Sequence, residues 1–339
     1  MKKIVQKYGG SSLNTVEKRE LVVKHIKKAI DNGYKPAVVV SAMGRLGEPY
    51  ATDTLIQIAS DIHPDIDRRE KDLLMSCGEI ISAIVLVQTL KKHGISAIAL
   101  TGAQAGIYTD ENFGEAEIEK VIPEKVNKAL MDGQIPVIAG FQGISWDGEI
   151  TTLGRGGSDT TASVIAAAIG ALYIEIYTDV AGVMTADPSL VESARILEVV
   201  SYNEVCELAY QGARVIHPRA AEIAMVEGIP IKIKSTFEAG PGTLINSNGM
   251  RSIKGDRPVT GVASRRNIIF IKIIPEEPAE YATGLRVFNL LAEKGISVDF
   301  INIRPEASSF IIDSKDKEKV LGYDQANQKP LSGSSNPRG

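Results

Sequence analysis

The sequence predicts an α/β protein: an open, mostly parallel sheet in three layers, followed by a smaller C-terminal α+β module. Three observations carry this. Short runs of β-branched residues alternate with longer segments of helical spacing through residues 3–234. One such run, Ala37-Val38-Val39-Val40, is continuously apolar, as expected of a strand covered on both faces. After residues 238–256, rich in Gly, Asn and Ser, the order changes to strand, helix, strand, strand.

Taken in order, residues 3–8 form a strand that runs into Gly9-Gly10-Ser11-Ser12. Residues 17–32 have helical spacing through Leu21, Val22, Ile26, Ala29 and Ile30, and stop at Gly33, a suitable C-terminal cap. A strand at 37–41 follows, then a helix over 72–92 closed by Gly94, and strands at 96–100 and 136–139. Residues 160–168 fit a helix, 172–177 a strand, 202–211 and 218–226 two helices, and 229–234 a strand. Such alternation places helices on both sides of a parallel sheet. Residues 238–256 read as a linker. The second unit has a strand at 268–274, a helix at 280–294 and strands at 297–303 and 309–312. Residues 322–339 are polar and Gly/Pro/Ser/Asn-rich, too poor in apolar area to offset their ordering entropy, so disorder is expected there.

With 339 residues, two domains are the default expectation, large enough to form cores without metals or disulfides. A net charge of −4 argues against a broad grip on nucleic acid. Two cysteines, Cys77 and Cys206, make no disulfide framework and read as buried thiols of a reducing compartment. Met1 to Gly10 holds no signal-peptide core, and the longest apolar run, 164–174, is well short of a membrane span, so no membrane association is expected. No Gly precedes a Lys, and G-x-G-x-x-G, C-x-x-C and G-x-S-x-G are absent, which removes the P-loop, the Rossmann fingerprint and the serine-hydrolase elbow. His25, His63, His93 and His217 are scattered, so no metal site is expected from them.

Chemistry concentrates in three loops at strand ends, where open α/β sheets bind ligands. Lys7-Tyr8-Gly9-Gly10-Ser11-Ser12 combines a cation with glycines whose N–H groups can meet a phosphate; a plain tight turn fits as well. Gly154-Arg155-Gly156-Gly157-Ser158-Asp159-Thr160 precedes a helix: Ser158 or Asp159 can serve as its N-cap, or the amides and Arg155 can hold an anion. Tyr177-Thr178-Asp179-Val180 and Thr185-Ala186-Asp187-Pro188 suit a ribose or base, or simply turns. Pattern alone reaches a phosphate-handling α/β enzyme, whose catalysis is mostly positioning and charge neutralisation.

At these motifs the chain resembles the aspartate kinases of the amino-acid kinase superfamily, of the bacterial monofunctional type. Matching elements, in the family's order, are Lys7-Tyr8-Gly9-Gly10-Ser11-Ser12, Val40-Ser41-Ala42-Met43-Gly44, Ser76-Cys77-Gly78-Glu79, Thr101-Gly102-Ala103-Gln104-Ala105-Gly106, Gly140-Phe141-Gln142-Gly143 and Thr152-Leu153-Gly154-Arg155-Gly156-Gly157-Ser158-Asp159. The two loops at Tyr177 and Thr185 match as well. The resemblance implies the amino-acid kinase fold over residues 1–245, a linker at 246–257, an ACT-like regulatory module at 258–321 and an unrelated tail at 322–339.

It also implies phosphoryl transfer from ATP, with Mg²⁺, to the β-carboxylate of L-aspartate, at the head of lysine, threonine, methionine and diaminopimelate biosynthesis. Lys7, Asp159 and Arg155 would be catalytic: Lys7 on the terminal phosphate, Asp159 orienting it, Arg155 on the substrate α-carboxylate. Lys7, Gly9, Gly10, Ser11, Thr178, Asp179, Met184, Asp187 and Arg214 would hold the nucleotide; Ser41, Thr52, Glu79, Arg155 and Ser158 the aspartate, with Glu79 on its amino group. Without the resemblance, Glu79 reads equally as a buried structural acid on an apolar helix.

Three departures stand out. Arg214 replaces the family's usual lysine, Ser189 replaces a common arginine, and Pro278-Ala279 stands where Pro-Gly is usual, which puts an amino-acid effector at that turn in question. Family members carry two ACT modules, and by this resemblance the second is expected to be missing here. A cytoplasmic homo-oligomer, a dimer, is expected. The competing readings are a catalytically impaired regulatory subunit and a superfamily kinase acting on glutamate or a nucleotide.

Overall fold

A computed structural model describes residues 1–213, 215–249, 259–274, 281–304 and 306–320. Arg214, Pro278, Ala279, most of the 246–257 linker and the 322–339 tail lie outside the described residues. The chain divides into two compact units, Met1–Ser264 and one that starts at Arg265.

In chain order the first unit contains β1 (Lys3–Tyr8), α1 (Val16–Asp31), β2 (Lys35–Val40), α2 (Thr52–Ser60), α3 (Arg68–Lys92), β3 (Ala97–Leu100), β4 (Ile107–Thr109), β5 (Ile118–Val121) and α4 (Glu124–Met131). It continues through β6 (Ile135–Ala139), β7 (Gln142–Ser145), β8 (Ile150–Thr152), α5 (Gly157–Ile169), β9 (Ile174–Thr178), β10 (Val199–Ser201), α6 (Tyr202–Tyr210), α7 (Pro218–Val226), β11 (Ile231–Ser235) and β12 (Thr243–Asn246). The main sheet has eight strands in the order β10-β12-β11-β9-β1-β2-β6-β3. Every pairing in it is parallel except β11 with β12.

Alternation along β2 explains the layering. Ala37 and Val39 enter one core, with Ile165, Ala166 and Ala220 of α5 and α7. Val38 and Val40 enter the other, with Val22 and Ile26 of α1 and Leu86 and Leu90 of α3. All four β2 residues are fully buried, which is why the strand reads as an unbroken apolar run. Helix α1 begins at Thr15, whose hydroxyl accepts the Lys18 N–H at 3.3 Å, and ends ahead of Gly33 in a left-handed conformation (φ +78°).

Several elements diverge from expectation. A second sheet, β5-β4-β7-β8, and helices α2 and α4 were invisible to periodicity, because strands of three or four residues carry too few alternations. Strand β12 lies inside the predicted 238–256 linker: Gly242 turns the chain (φ +72°) so that Thr243–Asn246 can run antiparallel to β11. Residues 259–264 also stay with the first unit, where the Val262 N–H donates to Thr185 O (2.8 Å) and the Thr260 hydroxyl to Glu204 (2.6 Å). Of the two cysteines, Cys206 is buried, its thiol pushed up to about 11 by burial, but Cys77 is exposed on α3. Helix α3 is long and apolar enough to cross a membrane by length and composition, yet its buried positions include Asp72, Ser76, Glu79 and Ser82. Asp72 there accepts the Thr152 N–H (2.7 Å), the Thr152 hydroxyl (2.8 Å) and the Gly114 N–H (2.9 Å), tying α3 to the small sheet.

The second unit holds β13 (Ile268–Ile273), α8 (Tyr281–Glu293), β14 (Asp299–Arg304) and β15 (Ala307–Asp313), an antiparallel sheet in the order β13-β15-β14. Leu291, Ile296, Phe310 and Ile312 form its core.

Candidate active site

The chain order of the main sheet reverses between β1 and β9: β2, β6 and β3 lie to one side, β11, β12 and β10 to the other. Open α/β sheets bind ligands beside such a reversal, at the carboxyl ends of the strands. A cleft of about 410 Å³ opens there. Lys7, Gly10, Ser11, Ser41, Thr52, Glu79, Arg155, Ser158 and Asp159 all line it, although they come from five separate stretches of chain.

Lys7 is the penultimate residue of β1. Its ammonium lies 2.6 Å from an Asp159 carboxylate oxygen, and both side chains are mostly enclosed. The Gly10–Ser12 turn that follows uses the Ser12 and Leu13 N–H groups for its own bonds, to Gly9 O (3.0 Å) and Gly10 O (3.2 Å). Gly10 and Ser11 of that turn line the cleft. Glycine is required at position 10 because a Cβ would collide with the Ala42 carbonyl oxygen. Gly9 does not line the cleft, and its N–H donates to Tyr177 O at 3.4 Å, so it is tied to β9 rather than offered to a ligand.

The glycines around Arg155 shape the start of α5. Gly156 caps the helix in the left-handed region (φ +72°), with the His217 ring filling the space a side chain would need. The helix therefore begins at Gly157, three residues earlier than spacing suggests. Ser158 and Asp159 fall inside its first turn and neither caps it with a side-chain hydrogen bond. An acid in that position meets the positive end of the helix dipole. Arg155 is exposed and has no ion-pair partner among the described residues.

Glu79 shows how packing creates reactivity. Gly78 has no room for a Cβ, which would lie 2.8 Å from the Ala42 side chain. That close approach sets Glu79 against the end of β2, where one carboxylate oxygen accepts the Ala42 N–H at 3.1 Å. The other oxygen is buried without a partner among the described residues. Burial pushes the carboxyl up to about 8, only partly opposed by the Ala42 N–H. A buried carboxyl one partner short is chemically suited to a cationic group in the cleft.

Thr178, Asp179, Met184 and Asp187 do not line the cleft; they belong to the segment following β9. Asp179 connects to it through Arg45, a lining residue whose guanidinium lies 3.0 Å away. Met184 bridges to Ile196. One Asp187 oxygen accepts both the Ser189 N–H (2.8 Å) and the Ser189 hydroxyl (2.7 Å), so the serine that replaces the usual arginine serves the turn itself. Arg45 and Phe141 are lining residues that sequence reasoning missed. Phe141 is a non-glycine at φ +70°, a conformation with no side-chain signature; Arg45 directly follows the Val40-Ser41-Ala42-Met43-Gly44 element.

Comparison with known proteins adds identity to this geometry. The amino acid kinase family profile matches residues 2–235. Aspartokinase 1 of Bacillus subtilis (strain 168) is 46% identical over 333 residues, covering 96% of this chain and 82% of that protein. Among solved structures, aspartate kinase from Clostridium acetobutylicum superposes with a TM-score of 0.73 at 28% identity, over 98% of this chain and 83% of that one. Aspartate kinase from Synechocystis gives 0.63 at 34% identity; the alignment takes 96% of this chain but only 55% of that longer one. The chain belongs to the amino acid kinase family, as one of its aspartokinases.

Proposed function

We propose that this chain catalyses ATP + L-aspartate → ADP + 4-phospho-L-aspartate. The observation that carries the reading is the convergence of Lys7–Asp159, Arg155 and Glu79 on one cleft at the carboxyl edge of the sheet. Aspartate carries one ammonium and two carboxylates. Glu79 supplies an acid for the ammonium, and Arg155, free of any protein carboxylate among the described residues, supplies a fork for the α-carboxylate. Ser41, Thr52 and Ser158 complete the pocket. The β-carboxylate is ionised near neutral pH, its ordinary pKa being about 3.9, so it attacks phosphorus without a general base. A bond forms from that oxygen to the γ-phosphorus, the bond to the bridging oxygen breaks, and ADP leaves as the anion.

Lys7 stabilises the charge on the travelling phosphoryl group, and Asp159 fixes the ammonium where that group passes. The Gly10 and Ser11 amides donate to phosphate oxygens. Thr178, Asp179, Met184 and Asp187 hold the nucleoside side, beyond the Arg45–Asp179 pair. Asp159 is engaged by Lys7, and no three acidic, histidine or cysteine side chains cluster as a cage among the described residues. That donor set fits a magnesium ion carried by the nucleotide phosphates and water; when bound it supplies further charge neutralisation.

In the same reading, the unit from Arg265 onward is an ACT-like module that takes an amino-acid effector, and the working enzyme is a cytoplasmic homodimer. The test is ADP release with ATP and Mg²⁺, with L-aspartate compared against L-glutamate. Aspartate-dependent turnover that disappears in Lys7→Ala is expected. Release independent of aspartate, or faster with glutamate, overturns the assignment.

A further inference from the structure

The helices of the α1 layer pack over β2, β3 and β6. Beyond them, the same face of β1, β9 and β11 is polar: Gln6 pairs in register with Glu175, and Glu175 with Lys232. The opposite face of these strands buries Val5, Ile174, Ile176, Ile231 and Ile233, with Lys3 and Lys7 at the two ends of the β1 part of it. Central strands of a parallel sheet are ordinarily apolar on both faces, so the polar side is a departure that packing does not explain.

That face forms the floor of a recess of about 470 Å³, larger than the catalytic cleft. Helix α1 walls it with Lys24, His25 and Lys28, and the turn after β11 closes it through Glu238. Four lysines and two carboxylates face it, an excess of two positive charges. Glu175 is already satisfied: Lys234 lies at 2.6 Å, the Gln6 amide donates at 2.8 Å and the Tyr177 hydroxyl at 3.2 Å. Lys24, Lys28 and Lys232 have no carboxylate partner among the described residues; Lys232 rests 3.9 Å over the Tyr173 ring.

We propose that this recess is a second small-molecule site, separate from the catalytic cleft, that takes a compact dianionic oxyanion, a phosphate or a dicarboxylate. Lys24 and Lys28 on the wall and Lys232 on the floor supply the charge, and the Tyr34–Tyr173 pair bounds the pocket with rigid aromatic surface. Its floor continues into the catalytic edge: Tyr177 O accepts the Gly9 N–H, and Thr236, next to Ser235 of the recess, shares a 2.7 Å hydroxyl bond with Ser12.

The test is equilibrium titration of the full chain at low ionic strength with inorganic phosphate and, separately, succinate. Saturable binding is expected for one of them, which identifies the class. Removing charge in the Lys28→Gln/Lys232→Gln double variant should weaken it by roughly fivefold, the size of two half-exposed charge contacts, with Lys28→Arg/Lys232→Arg retaining it. Lys7→Gln and Arg155→Gln should leave it unchanged. Loss that follows Lys7 or Arg155 instead locates the ion in the catalytic cleft and overturns the proposal, as does affinity equal in all variants or no saturation with either probe. Matching circular dichroism and melting curves confirm that the variants fold.

Discussion

Glu79 in the catalytic cleft and Glu175 in the recess behind the sheet are both buried carboxylates, 3% and 5% exposed, and they titrate in opposite directions. For Glu175 burial alone is the largest influence and would raise its pKa, but the Lys234 ammonium and hydrogen bonds from Lys234, Gln6 and Tyr177 together hold it below the ordinary carboxylate range. Glu79 has only backbone N–H donors against the same penalty and is pushed up to about 8. A folded chain completes the charge network where it is structural and leaves it incomplete where a ligand is to finish it.

The sharpest way to break this contrast is to remove one charge from each region. Lys7→Ala deletes the ammonium aimed at the transferring group and leaves the mostly enclosed Asp159 without its counter-charge at the edge of the cleft. The turnover number should fall about 10³-fold, corresponding to about 4 kcal/mol of transition-state stabilisation, a larger effect than the accompanying fall in stability. Steady-state ADP release on the purified variant checks it. Glu175→Ala should do the reverse. It strands Lys234 and unpairs Gln6 and Tyr177, and Lys234 is partly solvated, so the loss is about 2–3 kcal/mol of stability rather than the full penalty of a dry pair. Denaturant unfolding would show it, with the turnover number of the folded fraction nearly unchanged.

How far this contrast could be foreseen differs between the regions. The residues proposed as catalytic sit in glycine-bearing loops at strand ends, and both features are local in sequence. Lys7, Arg155 and Asp159 were therefore legible, while their meeting depended on the family resemblance. The long elements were legible for the same reason: β1 and α7 were placed to the residue, and α5 was placed short by Gly157, Ser158 and Asp159 at its start and by Ile169 at its end. The recess was not legible. Gln6, Glu175 and Lys232 lie far apart in the chain, and only the β1-β9-β11 order brings them onto one face. The strand ending at Asn246 was hidden because its neighbours are glycine and proline, which spacing reads as linker.

Glu79 makes the comparison quantitative. Glu79→Gln keeps the Ala42 contact and the shape but cannot become an anion. The KM for aspartate should rise about 10–30-fold, corresponding to about 1.4–2 kcal/mol, with a smaller change in turnover number. In the wild-type chain that KM should fall as pH rises toward 8, because the ammonium of aspartate binds the ionised form, and the variant should lose this dependence. Stability gives an independent check. A carboxyl whose folded pKa lies above its unfolded value binds more protons when folded, so its contribution is full below about pH 4.5 and declines through about 8. The unliganded chain should lose stability over that window, and Glu79→Gln should flatten the loss.

The smallest effect is expected at Arg45–Asp179, the ion pair at the cleft mouth. Both side chains are open to water, 76% and 44% exposed, so the 3.0 Å contact competes with hydration and with the entropy of a long side chain. Arg45→Ala should shift unfolding stability by no more than about 0.5 kcal/mol, and raising the salt concentration should shrink even that. If the pair's purpose lies in the nucleotide rather than the fold, the same variant should raise the KM for ATP several-fold and leave the KM for aspartate alone. A stability loss comparable with that of Glu175→Ala would show instead that the two edges of the cleft are structurally fastened together. The distinction between a closed structural network and an open functional one would then fail at this position.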